Sequence, residues 1–136
     1  MINKVDHIGI AVKDLEKSLT IWKDIFGLHA HGIEDIKERG VRVVRLGESP
    51  SIELVSGIGE GSVIEKFISE RGEGIHHFCF EVSDIKKALI ELKKKGIQLV
   101  HEIPQKGAEG SLVAFIHPKM LNGALIELKE QRRPKA

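Results

Sequence analysis

An α+β protein built from two tandem βαβββ units is the fold this sequence predicts, on three observations. The first is an internal repeat. Residues 5–19 (VDHIGIAVKDLEKSL) and 75–89 (IHHFCFEVSDIKKAL) align without a gap, sharing His7/His77, Val12/Val82, Asp14/Asp84, Lys17/Lys87 and Leu19/Leu89. The offset from position 7 to position 77 is about half of the 136-residue chain, so one supersecondary unit occurs twice. The second is a change of period inside each copy, from two before the aspartate to 3.6 after it, the signature of a strand followed by a helix. The third is the tripeptide Ile-Glu-Leu, at 52–54 and again at 126–128, which closes each unit with a matching strand.

Residues 5–12 form the first strand. Ile8, Ile10 and Val12 point to one face; Val5, His7, Gly9 and Ala11 point to the other. The second copy sends Phe78, Phe80 and Val82 one way and Ile75, His77, Cys79 and Glu81 the other. In the first copy the histidine therefore stands on a face of small residues, with open space before it. Asp14 caps a helix that runs to about Phe26, with Leu15, Leu19, Trp22 and Phe26 at helical spacing and Gly27 as its stop. Its counterpart begins after Asp84, carries Ile85, Leu89 and Leu92 on one stripe, and stops at Gly96.

Residues 28–36 are expected as a second strand or irregular edge, matched by 97–103. Residues 41–46 and 112–116 are the third strands, 51–55 and 125–129 the fourth. Between the units, Ser62 and Glu65 read as a capping box for a short helix carrying Val63, Ile64, Phe67 and Ile68. Residues 71–74 (RGEG) are the expected hinge. Residues 105–111 and 117–123 are read as glycine-containing loops, and the charged tail from Glu130 as frayed. The chain is expected to be one domain over residues 1–136, with repeat units at about 5–56 and 75–129 and a linker helix at about 62–70.

Composition narrows the function classes. The chain has 21 basic and 20 acidic residues, a formal charge of +1, which gives no reason to expect a nucleic-acid or membrane partner. Cys79 is its one cysteine, so no internal disulfide forms and a reducing cytoplasm is expected. Lys4 and Asp6 break any signal-peptide pattern, and no apolar run is long enough to span a bilayer.

The chemistry-bearing residues are those that the repeat doubles. A carboxylate in the middle of an apolar strand is costly to bury unless it is paired or binds metal. Here Glu53 and Glu127 occupy equivalent places, and each unit adds a first-strand histidine, His7 or His77. Units related by a pseudo-twofold would bring the four together. Two neutral imidazoles and two carboxylates cancel the charge of one divalent cation, and mixed N/O ligation suits Co²⁺, Zn²⁺, Ni²⁺, Mn²⁺ or Fe²⁺ rather than Ca²⁺. Four protein ligands on an octahedral ion leave two positions for a substrate that chelates through two oxygens. Taken singly, a strand histidine is usually a packed residue and a strand glutamate usually faces solvent; the repetition is what favours ligation. His29, His31, His76, His101 and His117 lack a matched acidic partner in the sequence. His76 is expected to face away from His77, and Cys79, whose counterpart is Gly9, to be a small buried residue.

Paired βαβββ units with ligands on the first and fourth strands resemble the vicinal-oxygen-chelate superfamily, which includes glyoxalase I, extradiol dioxygenases, antibiotic-resistance proteins and methylmalonyl-CoA epimerases. The segments VDHIGIAV, GIHHFCFEV and FIHPKMLNGALIEL are most similar to the epimerases, from about Val5 to Leu128. The resemblance implies a partly open eight-stranded barrel-like sheet around a metal site, with helices outside. It implies metal ligation by His7, Glu53, His77 and Glu127, with Co²⁺ first and Zn²⁺, Mn²⁺ or Ni²⁺ as alternatives. It implies an acyl-CoA partner, a homodimer, and interconversion of the 2R and 2S forms of methylmalonyl-CoA through an enolate. Some relatives carry a third-strand glutamate proposed as a base; Val43 stands there in this chain. Glu127 and Glu53, equivalent in the two repeats, are the candidate catalytic residues, one for each face of the enolate; the alternative gives Glu127 the base role and an unidentified donor the other. Lys106 and Lys119 are candidates to meet the CoA moiety, and neither is assigned. The rival readings are a glyoxalase-type isomerase acting on a glutathione hemithioacetal and a non-catalytic small-molecule binding protein. A ring-cleaving dioxygenase is disfavoured, because that site uses two histidines and one carboxylate.

Overall fold

The computed structural model describes residues 1–132. Among these residues eight strands and three α-helices follow the predicted order and give an α+β fold. They fall into two compact units, one of His7–His76 and the other of Met1–Asp6 with the chain from His77 onward. The division falls within β1 (Ile2–Ala11) and within β5 (Gly74–Val82), a few residues from where the repeat places it.

In the first unit β1 runs parallel to β4 (Ser51–Gly57), β4 antiparallel to β3 (Val41–Leu46), and β3 antiparallel to the short β2 (Glu34–Ile36). Helix α1 (Leu15–Phe26) starts where Asp14 accepts the Lys17 N–H at 3.1 Å. It stops where Gly27, at φ 63°, takes the left-handed conformation and donates to the Lys23 carbonyl at 2.7 Å. Its stripe covers a core of Val12, Leu15, Val44, Leu46 and Leu54, with Leu19 and Trp22 packed against it. Phe26 departs from the expected stripe. It is 59% exposed and lies on Trp22, while Leu28 and Ala30, from the chain returning after Gly27, pack on that core instead.

Helix α2 (Val63–Arg71) begins at Ser62, whose hydroxyl accepts from the Ile64 N–H and donates to the Gly40 carbonyl, both at 3.2 Å. Its first turn presses on the end of β4. A Cβ at Gly57 would stand 2.7 Å from Ser62 Cβ and 2.8 Å from Glu65 Cγ. Within the expected hinge, Glu73 accepts the Lys13 N–H at 2.8 Å, so this segment is bonded to the turn that follows β1.

In the second unit β5 runs parallel to β8 (Ile126–Glu130), β8 antiparallel to β7 (Leu112–Ile116), and β7 antiparallel to β6 (Gln105–Lys106). Helix α3 (Ile85–Lys94), capped by Asp84, lays Ile85, Ala88 and Leu89 on Val82, Ala114, Ile116, Ile126 and Leu128. Two expectations are corrected here. Residues 97–103 form the irregular edge, the second of the two expected alternatives, with one bridge, Leu99 to Ile116, while the expected loop 105–111 supplies the edge strand β6. The Val100 and His101 N–H groups both turn to the Phe115 carbonyl, a bulge that interrupts regular pairing, and Pro104 follows without an N–H. Glu130 is not frayed: it ends β8, and its carboxylate accepts the Ile85 N–H at 3.0 Å. The rest of the predicted tail, beyond residue 132, lies outside the described residues.

Candidate functional site

Each unit, taken by itself, builds the same pair. In the first, His7 lies on β1, and Glu53 on β4 stands in register with Gly9, two residues further along β1. His7 Nε2 and Glu53 Oε1 are 3.5 Å apart. In the second, His77 lies on β5, and Glu127 on β8 stands in register with Cys79, again two residues along. His77 Nε2 and Glu127 Oε1 are 3.3 Å apart. The small residue opposite each glutamate, Gly9 or Cys79, leaves the carboxylate room to lean toward the histidine. Three of the four side chains are at most 5% exposed and Glu53 is at 13%.

These separations exceed the usual 2.7–3.2 Å of an N–H···O bond. A different geometry includes the second and comes within 0.1 Å of the first. Two donors each about 2.1 Å from one cation, at roughly 90–109° to each other, stand about 3.0–3.4 Å apart. A neutral imidazole nitrogen beside a carboxylate oxygen at that spacing, away from water, suits chelation of a divalent ion. The residues therefore fit the metal that the sequence implies, unit by unit.

The remaining histidines have local partners. His29 meets His31 edge-on, and His31 Nε2 lies 3.1 Å from the Gly47 carbonyl. His76 packs on Phe67. His101 Nδ1 accepts the Phe115 N–H, and His117 Nδ1 accepts the Lys119 N–H. Cys79 is fully buried, as expected of a small core residue. Val43, at 5% exposure, pairs with Val55 and Glu34 and is ordinary aliphatic packing. Lys106 and Lys119 are exposed, and neither gains a role from its surroundings.

Sequence reasoning missed the Asp6–Lys129 ion pair, 3.1 Å long and buried within the second unit. Its signal was the strand alternation that places Lys129 on the same face as Glu127. It also missed Phe115, whose ring meets the His77 ring edge-to-face with centroids 5.5 Å apart.

The pattern of the Glyoxalase/Bleomycin resistance protein/Dioxygenase superfamily matches residues 6–115. The mitochondrial methylmalonyl-CoA epimerase of Dictyostelium discoideum is 38% identical over 132 residues, covering 96% of this chain and 80% of that one. The ethylmalonyl-CoA/methylmalonyl-CoA epimerase of Cereibacter sphaeroides is 38% identical over 96% of this chain and 99% of its own. The chain belongs to the methylmalonyl-CoA epimerase family of that superfamily. The likeness to the family extends to the fold. A variant of the Streptomyces coelicolor methylmalonyl-CoA epimerase, solved in complex with 2-nitronate-propionyl-CoA, superimposes with a TM-score of 0.93 at 28% identity, over 100% of this chain and 99% of that one. Among the described residues no helix is long and apolar enough to cross a membrane.

Proposed function

We propose that this chain is a metal-dependent methylmalonyl-CoA epimerase that exchanges the C2 proton between the 2R and 2S forms. The observation that carries the reading is the His–Glu pair, buried with the same atoms facing each other in each unit, in a chain of the epimerase family. We read His7, Glu53, His77 and Glu127 as one ligand set. Its charge balances a divalent cation and its N/O character suits Co²⁺ first, then Zn²⁺, Mn²⁺ or Ni²⁺. The cation would supply Lewis acidity toward the thioester, which makes the C2 proton removable as the enolate forms.

The chain's own task is to move that proton. Glu127 and Glu53 are the carboxylates assigned to it, one on each face of the planar intermediate. Val43 offers no acid on the third strand, and the equivalence of Glu53 with Glu127 in the two repeats is what supports giving the second face to Glu53. If Glu127 is the base alone, Glu53→Gln keeps full epimerisation. The acyl-CoA is the partner this reading requires. We further read residues 1–136 as one domain that self-associates as a homodimer, and the single buried thiol of Cys79 supports a reducing cytoplasm.

The test is incubation of the cobalt-loaded protein with one epimer of methylmalonyl-CoA in D₂O. The expected result is loss of optical purity with deuterium at C2, abolished by chelator and by His77→Ala. Metal bound without exchange would overturn the reading in favour of a glyoxalase-type isomerase, which turnover of a glutathione hemithioacetal would identify.

A further inference from the structure

We propose that Phe115 is a positioning residue for the His77–Glu127 pair, and that His101 holds Phe115 in place. The inference rests on reading His77 and Glu127 as metal ligands. Phe115 lies on β7 directly opposite Glu127 on β8, and opposed residues of an antiparallel pair have Cβ atoms about 4.5–5.5 Å apart on one face. Its ring meets the His77 imidazole at an interplanar angle of 86°. One side chain therefore stands beside both donors of the unit.

Phe115 is only 7% exposed, yet it does not belong to the cluster packed under α3. That cluster takes its neighbours Ala114 and Ile116, which lie under α3 on the other face of β7. The buried ring instead fills space on the face of the two polar side chains. A T-shaped contact there limits the tilt of the imidazole and keeps water from its flank.

His101 is the second contact of Phe115. Regular pairing of β6 with β7 ends at Val113, two residues before Phe115. Beyond it the Phe115 N–H donates to His101 Nδ1 at 3.1 Å, and the Phe115 carbonyl accepts from the N–H groups of Val100 and His101 at 2.9 and 3.3 Å. The imidazole supplies the acceptor that a strand carbonyl would otherwise provide. Its ring also meets the Phe115 ring at a tilt of 57°, with centroids 5.9 Å apart. With Nδ1 accepting, the neutral ring carries its proton on Nε2. Phe115 is thus held through its backbone and its side chain by one residue.

The experiment is Co²⁺ titration of the full chain, followed by visible absorption and chelator competition, alongside epimerisation kinetics. Phe115→Leu keeps apolar bulk but loses the ring. We expect it to weaken Co²⁺ binding about ten- to hundredfold, to shift the visible bands, and to lower kcat with KM little changed. His101→Leu moves the same readouts in the same direction, and His101→Asn, which places an acceptor oxygen where Nδ1 was, rescues them. If Phe115→Leu and His101→Leu bind Co²⁺ with wild-type affinity and spectrum and only the melting temperature falls, Phe115 is mere packing and the proposal is overturned. His77→Ala separates the two levels: if it leaves Co²⁺ binding intact, the ligand reading itself has failed, and this inference with it.

Discussion

Asp6 and Lys129 look like surface charges in the sequence, yet both side chains are only 11% exposed and they are bonded at 3.1 Å. A buried ion pair adds little over a well-packed apolar pair, but removing one partner strands the other's charge, at a cost of about 3–5 kcal/mol. Chemical denaturation should show that loss for Asp6→Asn or Lys129→Met alone, and much of it regained in the double variant. Two independent losses that simply add would sink the idea. The glutamates are predicted to behave differently. Glu127→Gln keeps the shape of the site but removes a proton acceptor and a ligand charge, so epimerisation should fall by about 10²–10⁴-fold with the melting temperature of the metal-free protein little changed. Measuring Glu53→Gln beside it decides whether one carboxylate or both handle the proton. His7, His77, Glu53 and Glu127 were legible in the sequence because the repeat doubles each of them. The partners of Lys129 and Phe115 were not, because strand alternation gives the face of a side chain but not which residue of another strand, Asp6 or His77, stands against it.

The elements followed the sequence where local physics decides and departed from it where neighbours do. Both first-strand-to-helix junctions formed as read, since Asp14 and Asp84 each accept the N–H three residues on, at 3.1 Å. Asp84→Ala should cost about 1 kcal/mol in thermal or chemical unfolding, the usual worth of such a cap. Gly57→Ala should cost more, about 1–3 kcal/mol, because its new methyl meets the first turn of α2. A cost no larger than the cap's would mean that α2 shifts freely. On the edge strand β2, Asp35 is bonded twice by Arg42, at 2.7 and 3.1 Å, and the guanidinium holds its carboxyl below the ordinary value of 3.8. A depressed carboxyl contributes stability that is present above that value and lost as pH falls through the folded one. The pair is exposed, so a comparison of wild type with Asp35→Asn should show a small difference near neutral pH that shrinks in acid and in high salt. The edge strand of the second unit was missed because Gln105 and Lys106 lie in a glycine-containing stretch read as a loop, and only their register with Val113 and Leu112 on β7 makes them a strand.

At the scale of the whole molecule, metal binding should couple to stability. A ligand that binds only the folded chain adds RT ln(1 + [L]/Kd), about 2.7 kcal/mol at a hundred times Kd. Chelator should therefore lower the melting temperature of the wild type and leave that of His77→Ala unmoved; equal shifts in both would place the ion elsewhere. The sequence by itself determined the two units, their strand–helix–strand order and the four doubled ligand candidates. Those are properties of period, capping and repetition, and each is written within a few residues of chain. The tertiary structure decided which carboxylate faces which histidine and at what distance, which edge strand forms, and which charges are buried in pairs. Those depend on strand register and on side chains many residues apart: Glu127 meets His77 only because β8 lies parallel to β5 with Glu127 beside Cys79, and Lys129 meets Asp6 across 123 positions of sequence.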